Sequence, residues 1–172
     1  MKEIGSYFNF DCSAFKNQYI SNTNMKFYFS GRNAIKTIVH DLVIDRILLP
    51  NYSCESINNS IICEKEYFEI TGDFKIDIDN LYTKLKDYKY IYIIDFFGKK
   101  DDFMSEISTF CKSHGIMIIQ DFTHDIFNNL YGDVCLCSYR KWLPTCFGCM
   151  VVDKYNLLSN RISFSCEYLL IR

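Results

Sequence analysis

The sequence predicts an α/β protein, a three-layer α/β/α sandwich built around a mostly parallel sheet. Nearly continuous apolar runs, such as residues 90–94 and 116–119, are typical of parallel strands that are covered on both faces. Segments such as residues 31–43 and 101–113 instead carry apolar residues at helical spacing. Strands and helices that alternate along the chain in this way predict the layered architecture.

The first elements illustrate the two patterns. A helix is predicted over residues 31–43, because Ala34, Ile35, Ile38, Val39 and Leu42 fall on one helical face. The short apolar run 46–49 follows, and Pro50 ends it, which predicts a buried strand.

The remaining elements follow from the same periodicities. They are a helix over 53–63 with Ser53 as its N-cap, a short strand over 66–70, a helix over 77–85, a strand over 90–94, a helix over 101–113 ended by Gly115, a strand over 116–119, and short strands over 134–137 and 149–152. Ligands of open parallel sheets bind beyond the carboxyl ends of the strands, so polar residues directly after these strands are the candidate site.

Composition and charge exclude several classes of protein. The 172 residues suit one domain, and a hydrophobic fraction of 49% argues against disorder. A net charge of −2 gives no general attraction to nucleic acid or to an anionic membrane. Residues 1–10 lack the features of a signal peptide, and no run of about 18 apolar residues could span a bilayer. We therefore expect a cytoplasmic protein whose nine cysteines are thiols.

The segment that begins at Ser30 and Gly31 is a candidate anion site. A turn of small residues that opens a helix presents backbone N–H groups and the positive end of the helix dipole. The alternative is that Ser30 is simply an N-cap beside a turn glycine. Both interpretations remain open from these residues alone.

Two further candidates follow predicted strands. Asp121 comes directly after the run 116–119, where a carboxylate could bind a metal, orient a base or pair with a protonated ring nitrogen. The alternative is that Asp121 caps a helix over 125–130 and that His124 is structural. Further along, Lys141 stands beside Arg140 among aromatic and apolar residues, and a partly buried amine beside a cation is more readily deprotonated, as a nucleophile requires.

Cysteine spacing offers a competing hypothesis. Cys135 and Cys137, followed by Cys146 and Cys149, could supply four thiolates to zinc. Strand alternation puts Cys135 and Cys137 on one face, however, where free cysteines commonly pack as small hydrophobic residues. We therefore predict no metal site.

Taken in their order along the chain, these features resemble the pyridoxal-phosphate site of fold-type-I enzymes, and in detail the DegT/DnrJ/StrS family of aminotransferases. The resemblance extends from about Gly5 to Lys154. The stretches that carry it are Ser30-Gly31-Arg32-Asn33-Ala34-Ile35, Leu48-Leu49-Pro50-Asn51-Tyr52-Ser53, Asp95-Phe96-Phe97-Gly98, Asp121-Phe122-Thr123-His124 and Ser138-Tyr139-Arg140-Lys141-Trp142-Leu143-Pro144-Thr145.

The resemblance implies a role for each candidate residue. It implies that Lys141 forms the Schiff base with pyridoxal phosphate and shuttles a proton. It implies that Asp121 pairs with the pyridine nitrogen, which keeps the ring an electron sink, and that His124 lies near the phenolic oxygen. The residues implied to hold the phosphate are Ser30, Gly31, Arg32 and Ser138.

The sequence departs from the family pattern at several points. Arg32 stands where threonine is common, and Cys54 stands where an aromatic residue usually stacks on the cofactor ring. The stacking residue would then be Tyr52 or Phe97, or the stack would be absent. Family members are longer and carry a smaller C-terminal domain. We therefore expect residues 1–172 to be a partial pyridoxal-phosphate-binding large domain without that C-terminal domain.

The activity implied by the resemblance is transfer of an amino group from a small amino donor to a keto substrate, such as a keto sugar or sugar nucleotide, in a homodimer. Nucleic acid and membrane partners are not expected. One alternative keeps the fold but changes the chemistry to that of a desulfurase, lyase or dehydratase. Another is a catalytically inactive remnant that acts only as a binding or partner subunit.

Overall fold

The computed structural model describes residues 24–98, 102–126, 129–145 and 147–159. All helices and strands named below lie within these ranges. In chain order they are β1 (Met25–Tyr28), α1 (Gly31–Asp41), β2 (Arg46–Pro50), α2 (Glu55–Ser60), β3 (Glu64–Phe68), α3 (Ile78–Leu85), β4 (Tyr90–Ile94), α4 (Met104–His114), β5 (Met117–Asp121), β6 (Val134–Ser138), a 3-10 turn (Tyr139–Lys141) and β7 (Cys149–Asp153).

The strands form one sheet in the order β1-β7-β6-β5-β4-β2-β3. The pairs that join β3, β2, β4, β5 and β6 are parallel, whereas β7 runs antiparallel to both β6 and β1. The mostly parallel sheet is therefore confirmed. Its register pairs Ile94 with Asp121 and Asp121 with Leu136, so the carboxyl ends of β4, β5 and β6 lie side by side.

Helices cover both faces of the sheet. In β4, Tyr92 and Ile94 join one apolar cluster with α1 and α2, whereas Ile91 and Ile93 join a second cluster with α3 and α4. The four side chains point alternately to opposite faces, and all are buried. Burial of an isoleucine side chain contributes about 1.5–3 kcal/mol, so the two clusters hold the three layers together.

Strand β1 was not predicted from the sequence, because a lysine interrupts its apolar pattern. Lys26 is nevertheless buried, and its Nζ donates to Asp153 Oδ2 at 2.6 Å and also to the Leu158 carbonyl. A buried cation is tolerated where an opposite charge and further acceptors satisfy it. The pair thus ties β1 to β7 and to the segment that follows β7.

The structure contradicts the predicted Ser53 cap and the alternative in which Asp121 is a helix cap. Helix α2 is shorter than the predicted 53–63, and Cys54, not Ser53, occupies its N-cap position without a side-chain hydrogen bond to the helix. Ser53 Oγ instead accepts from Asn58 Nδ2 at 2.8 Å. Asp121 does not cap a helix over 125–130 either, since the described residues of that range are not helical.

Gln120, in β5, joins three parts of the fold. Its side chain is fully buried, its Nε2 donates to Asp95 Oδ2 at 2.8 Å, and its Oε1 accepts from the backbone N–H groups of Tyr131 and Gly132. A Cβ added at Gly132 would lie 2.7 Å from Gln120 Cβ. The network therefore requires glycine at position 132.

Among the described residues, no helix is long and apolar enough to cross a membrane.

We expect Gly132→Ala to lower the free energy of unfolding by about 1–3 kcal/mol, because the new methyl group would displace the buried Gln120. Urea denaturation would measure the change. Gly72→Ala is the matched control, since an added Cβ there meets nothing within 4 Å. Equal midpoints for the two variants would contradict the prediction.

Candidate active site

A cavity of about 760 Å³ lies at the carboxyl ends of β4, β5 and β6, beside the N-terminus of α1. The register of these strands explains its position, because residues that follow neighbouring parallel strands emerge at the same edge. The structure brings every sequence-predicted site residue to this cavity, namely Ser30, Gly31, Arg32, Tyr52, Asp121, His124, Ser138 and Lys141.

One end of the cavity is formed by the N-terminus of α1. Ser30 is the N-cap, and its Oγ accepts from the Asn33 N–H at 3.3 Å, so the capping interpretation holds. The first turn contains no acidic residue. A Cβ added at Gly31 would lie 3.8 Å from Ser138 Cβ, so the helix terminus contacts the end of β6. Backbone N–H groups, the helix dipole and a hydroxyl thus meet where an anion could bind.

The carboxylate of Asp121 is held by two neutral donors. Tyr92 donates its hydroxyl to Oδ2 at 2.8 Å, and the Thr123 N–H donates to Oδ1 at 3.0 Å. Burial, followed by the negative charge of Asp121, raises the pKa of Tyr92 well above its ordinary value, so this phenol stays protonated. Two lone-pair sites of the carboxylate remain for a further donor from the cavity.

Tyr92 was not among the predicted site residues. It lies within an apolar strand and reads as a core residue, yet a buried tyrosine hydroxyl normally requires a partner. This rule could have indicated from the sequence that the Tyr92 hydroxyl has a polar partner. The identity of the partner depends on the pairing of β4 with β5, which the local sequence does not specify.

Lys141 Nζ lies 3.0 Å from His124 Nε2. Burial lowers the pKa of His124, the Lys141 cation lowers it further, and Asp121 opposes both. The imidazole is therefore neutral near pH 7, and a neutral ring that accepts at Nε2 carries its proton on Nδ1. Within the described chain, this buried Nδ1 has no hydrogen-bond partner, so the cavity wall contains an unsatisfied donor.

The expected partial burial of Lys141 was wrong, because its side chain is exposed and so are Trp142 and Leu143. Residues on either side of the lysine instead hold its turn near the cavity. Trp142 Nε1 donates to the Thr123 carbonyl at 2.6 Å, and the Ser138 N–H donates to Thr123 Oγ1 at 3.0 Å. Thr123, which the sequence analysis did not single out, thus joins the His124 segment to the Lys141 turn.

Aromatic rings form one wall of the cavity. The Phe97 ring stacks on the His124 imidazole, with centroids 4.9 Å apart and planes inclined by 12°. Tyr52 instead contacts Phe96 and Phe74, at 5.6 and 5.4 Å between centroids. Tyr52 and Phe97 are 53% and 56% exposed, so both leave a large part of their surface open to a ligand.

The zinc alternative is not supported by the positions of the cysteines. Cys135 and Cys137 pack in one apolar cluster, whereas Cys149 packs in the cluster on the opposite face of the sheet. Burial raises the pKa of Cys135 and of Cys137 to about 12, so these thiols stay protonated. Cys146 lies outside the described residues, among which no group of potential metal ligands is found.

We expect Lys141→Met to raise the pKa of His124 toward 6.5, because removal of the neighbouring cation favours the protonated imidazole. A titration of the histidine side chains followed by NMR would measure the shift. Lys112→Met, which alters an exposed residue on α4, should leave the His124 titration unchanged. An unchanged pKa of His124 in Lys141→Met would refute the contact assigned between Lys141 and His124.

Comparison with known proteins supports the fold only. No protein-family model matches the chain, and no curated protein matches it. The structure is similar to the aminotransferase TlmJ from Streptoalloteichus hindustanus, with a TM-score of 0.69, 18% identity, and coverage of 78% of this chain and 42% of that one. It is also similar to an aminotransferase from Psychrobacter cryohalolentis, with a TM-score of 0.67, 16% identity, and coverage of 77% and 38%.

A third similar structure is Helicobacter pylori PseC, an aminotransferase involved in the biosynthesis of pseudoaminic acid, with a TM-score of 0.64 and 16% identity. That match covers 76% of this chain and 40% of PseC. The chain therefore spans less than half the length of each of these structures. Together they confirm the predicted α/β/α fold, that of fold-type-I aminotransferases.

Proposed function

We propose that this chain is the pyridoxal-phosphate-binding domain of an aminotransferase of the DegT/DnrJ/StrS family. The observation that carries the proposal is the convergence on one cavity of an amine, a fixed carboxylate and a helix N-terminus, contributed by Lys141, Asp121 and α1. The cofactor presents a matching set of groups, namely an aldehyde, a basic ring nitrogen and a phosphate.

The residues fit this cofactor. A cavity of about 760 Å³ is within the range of small-molecule sites, which is roughly 300–1,000 Å³. Asp121 accepts two hydrogen bonds and keeps the capacity to accept another from a protonated ring nitrogen. The unsatisfied Nδ1–H of His124 lacks an acceptor in the described chain, and the phenolic oxygen of the cofactor is an acceptor of the required kind.

Pyridoxal phosphate, when bound, would supply an aldehyde carbon that carries the amino group from donor to acceptor and a ring that accepts electrons. Lys141 would supply the amine that condenses with the aldehyde, with release of water, and its Nζ would hold or release a proton. Asp121 holds a proton on the ring nitrogen by charge, and Tyr92 and Thr123 keep its carboxylate oriented. His124 holds Lys141 Nζ through Nε2.

The phosphate of the cofactor would bind at the N-terminus of α1. The N–H groups of Gly31 and Arg32 belong to the first turn, where no intrahelical acceptor exists. Ser138 lies next to Gly31, and Ser30 lines the same cavity. The absence of acidic residues from that turn favours a doubly charged anion.

A small-molecule amino donor and a keto substrate follow from aminotransferase chemistry, and the similarity to PseC supports a keto sugar or sugar nucleotide as the acceptor. We also propose a homodimeric, cytoplasmic enzyme. A protein that binds the cofactor without turnover is the alternative, and amino-donor half-reactions after the first experiment below would separate the two.

We expect the purified chain to develop a visible absorbance band with pyridoxal phosphate, and borohydride to fix the cofactor on Lys141. Peptide mass spectrometry would locate the adduct. Lys141→Ala should abolish both signals, whereas Lys112→Ala, on the far side of the sheet, should retain them. No band in a chain shown by circular dichroism to be folded would refute the proposed function.

We expect Tyr92→Phe to weaken binding of pyridoxal phosphate about tenfold, because Asp121 loses a hydrogen bond of about 1.5 kcal/mol that orients its carboxylate. A spectrophotometric titration would give the dissociation constant. Tyr88→Phe is the matched control, since it also removes a tyrosine–carboxylate hydrogen bond, to Glu66 Oε2, but lies away from the cavity. Equal affinities in the two variants would contradict the assigned role.

A further inference from the structure

We infer that Phe97 is a positioning residue that acts on Lys141 through His124. The Phe97 ring fixes the plane of the imidazole, and the imidazole in turn holds the lysine amine at one place in the cavity. The role of that amine rests on the proposed function, whereas the effect of Phe97 on His124 does not.

Lys141 depends on one contact. It is exposed, and in the described chain the only hydrogen-bond partner of its Nζ is His124 Nε2, at 3.0 Å. A lysine side chain has about 2 kcal/mol of rotamer entropy, which opposes any fixed position of the amine, and the contact with His124 is what offsets it. The orientation of the His124 ring therefore determines the position of Nζ.

The His124 ring needs a support of its own. Rotation about the bond to an imidazole ring is broad, so the ring plane is set by its neighbours. Phe97 lies parallel to it, 4.9 Å away between centroids and inclined by only 12°. With that face covered, the ring keeps the plane in which Nε2 faces Lys141 Nζ.

The backbone of Phe97 indicates that its position is imposed. Its φ is +53°, a left-handed conformation that is unfavourable for a bulky residue, and Gly98 follows at +71°. The ring is also 56% exposed, so burial does not explain the strain. Phe74, itself at a φ of +65°, meets the Phe97 ring edge-on at 5.1 Å.

Buried hydrogen bonds fix both sides of this stack. The Asp95 N–H, two residues before Phe97, donates to the Asp121 carbonyl at 3.0 Å, and Asp95 Oδ2 accepts from the buried Gln120 Nε2. Asp121 ends β5 three residues before His124. The two aromatic rings thus emerge from adjacent strands that are tied together at their ends.

Two charged side chains act on the imidazole of His124. Lys141 approaches from the turn after β6, and Asp121 from the end of β5. The carboxylate of Asp125, the next residue, lies 3.9 Å from the position of a Cβ added at Gly98. Burial is the largest cause of the lowered pKa of His124, and the Phe97 ring covers part of that surface. A neutral imidazole can accept from the Lys141 ammonium, whereas a protonated one cannot.

The test compares the wild-type chain with Phe97→Ala and Phe97→Tyr, and it has two readouts. An NMR titration of the cofactor-free chain reports the pKa of His124. The rate at which pyridoxal phosphate becomes fixed to Lys141 under borohydride reports the position of the amine. Phe97→Leu replaces the alanine variant if circular dichroism shows that the latter is unfolded, because leucine keeps apolar bulk and loses the planar stack.

We expect Phe97→Ala to raise the pKa of His124 toward 6.5 and to slow fixation of pyridoxal phosphate about tenfold, and Phe97→Tyr to restore both. Phe110→Ala is the matched control, because it removes a similar stack from His114, 4.0 Å between centroids, on the far side of the sheet. It should leave the pKa of His124 and the rate of cofactor fixation as in the wild type.

The outcomes separate the inference from the proposed function. An unchanged His124 titration in Phe97→Ala, or a shifted titration with an unchanged rate of fixation, would overturn the positioning role while the cofactor site stands. If the wild-type chain fixes no cofactor, the proposed function fails, and the claim that Phe97 positions a reactive amine falls with it. A shifted pKa of His124 in Phe97→Ala would then still support the stack of Phe97 on His124.

Discussion

The parallel pairing of β4, β5 and β6 is the constraint on which the site depends. Their register pairs Ile94 with Asp121 and Asp121 with Leu136. The residues that follow these three strands therefore emerge at the same edge of the sheet. Phe97, His124 and Lys141 are distant in sequence, and each becomes a neighbour of the next only through this register. A slip of one residue in β5 would turn Asp121 to the other face of the sheet.

Buried polar groups that pair with one another hold that edge in place. Gln120 links β5 to Asp95 at the end of β4 and to the backbone around Gly132. Unsatisfied buried amides are costly, so the network permits few alternative arrangements. The buried ion pair of Lys26 and Asp153 does the same for β1 and β7, at the other end of the sheet order.

The electrostatics of the cavity suit chemistry at an amine beside a fixed carboxylate. Neutral donors, not cations, orient Asp121, so its negative charge is available to a ligand. His124 is kept neutral by burial and by Lys141, and the helix terminus provides a positive potential at the opposite end. The proposed cofactor role and the positioning role of Phe97 are two consequences of one arrangement.

The sequence by itself determined the layered fold and most of its elements, because apolar periodicity reports directly on which faces are buried. It also singled out eight of the residues that line the cavity, through strand-end positions and a family resemblance. Only the tertiary structure decided how they are held. Strand β1, the Tyr92–Asp121 hydrogen bond, the Phe97–His124 stack and the exposure of Lys141 all depend on contacts between residues far apart in the chain. Local patterns carry no information about such contacts, since strand order and register, not neighbouring residues, bring the partners together.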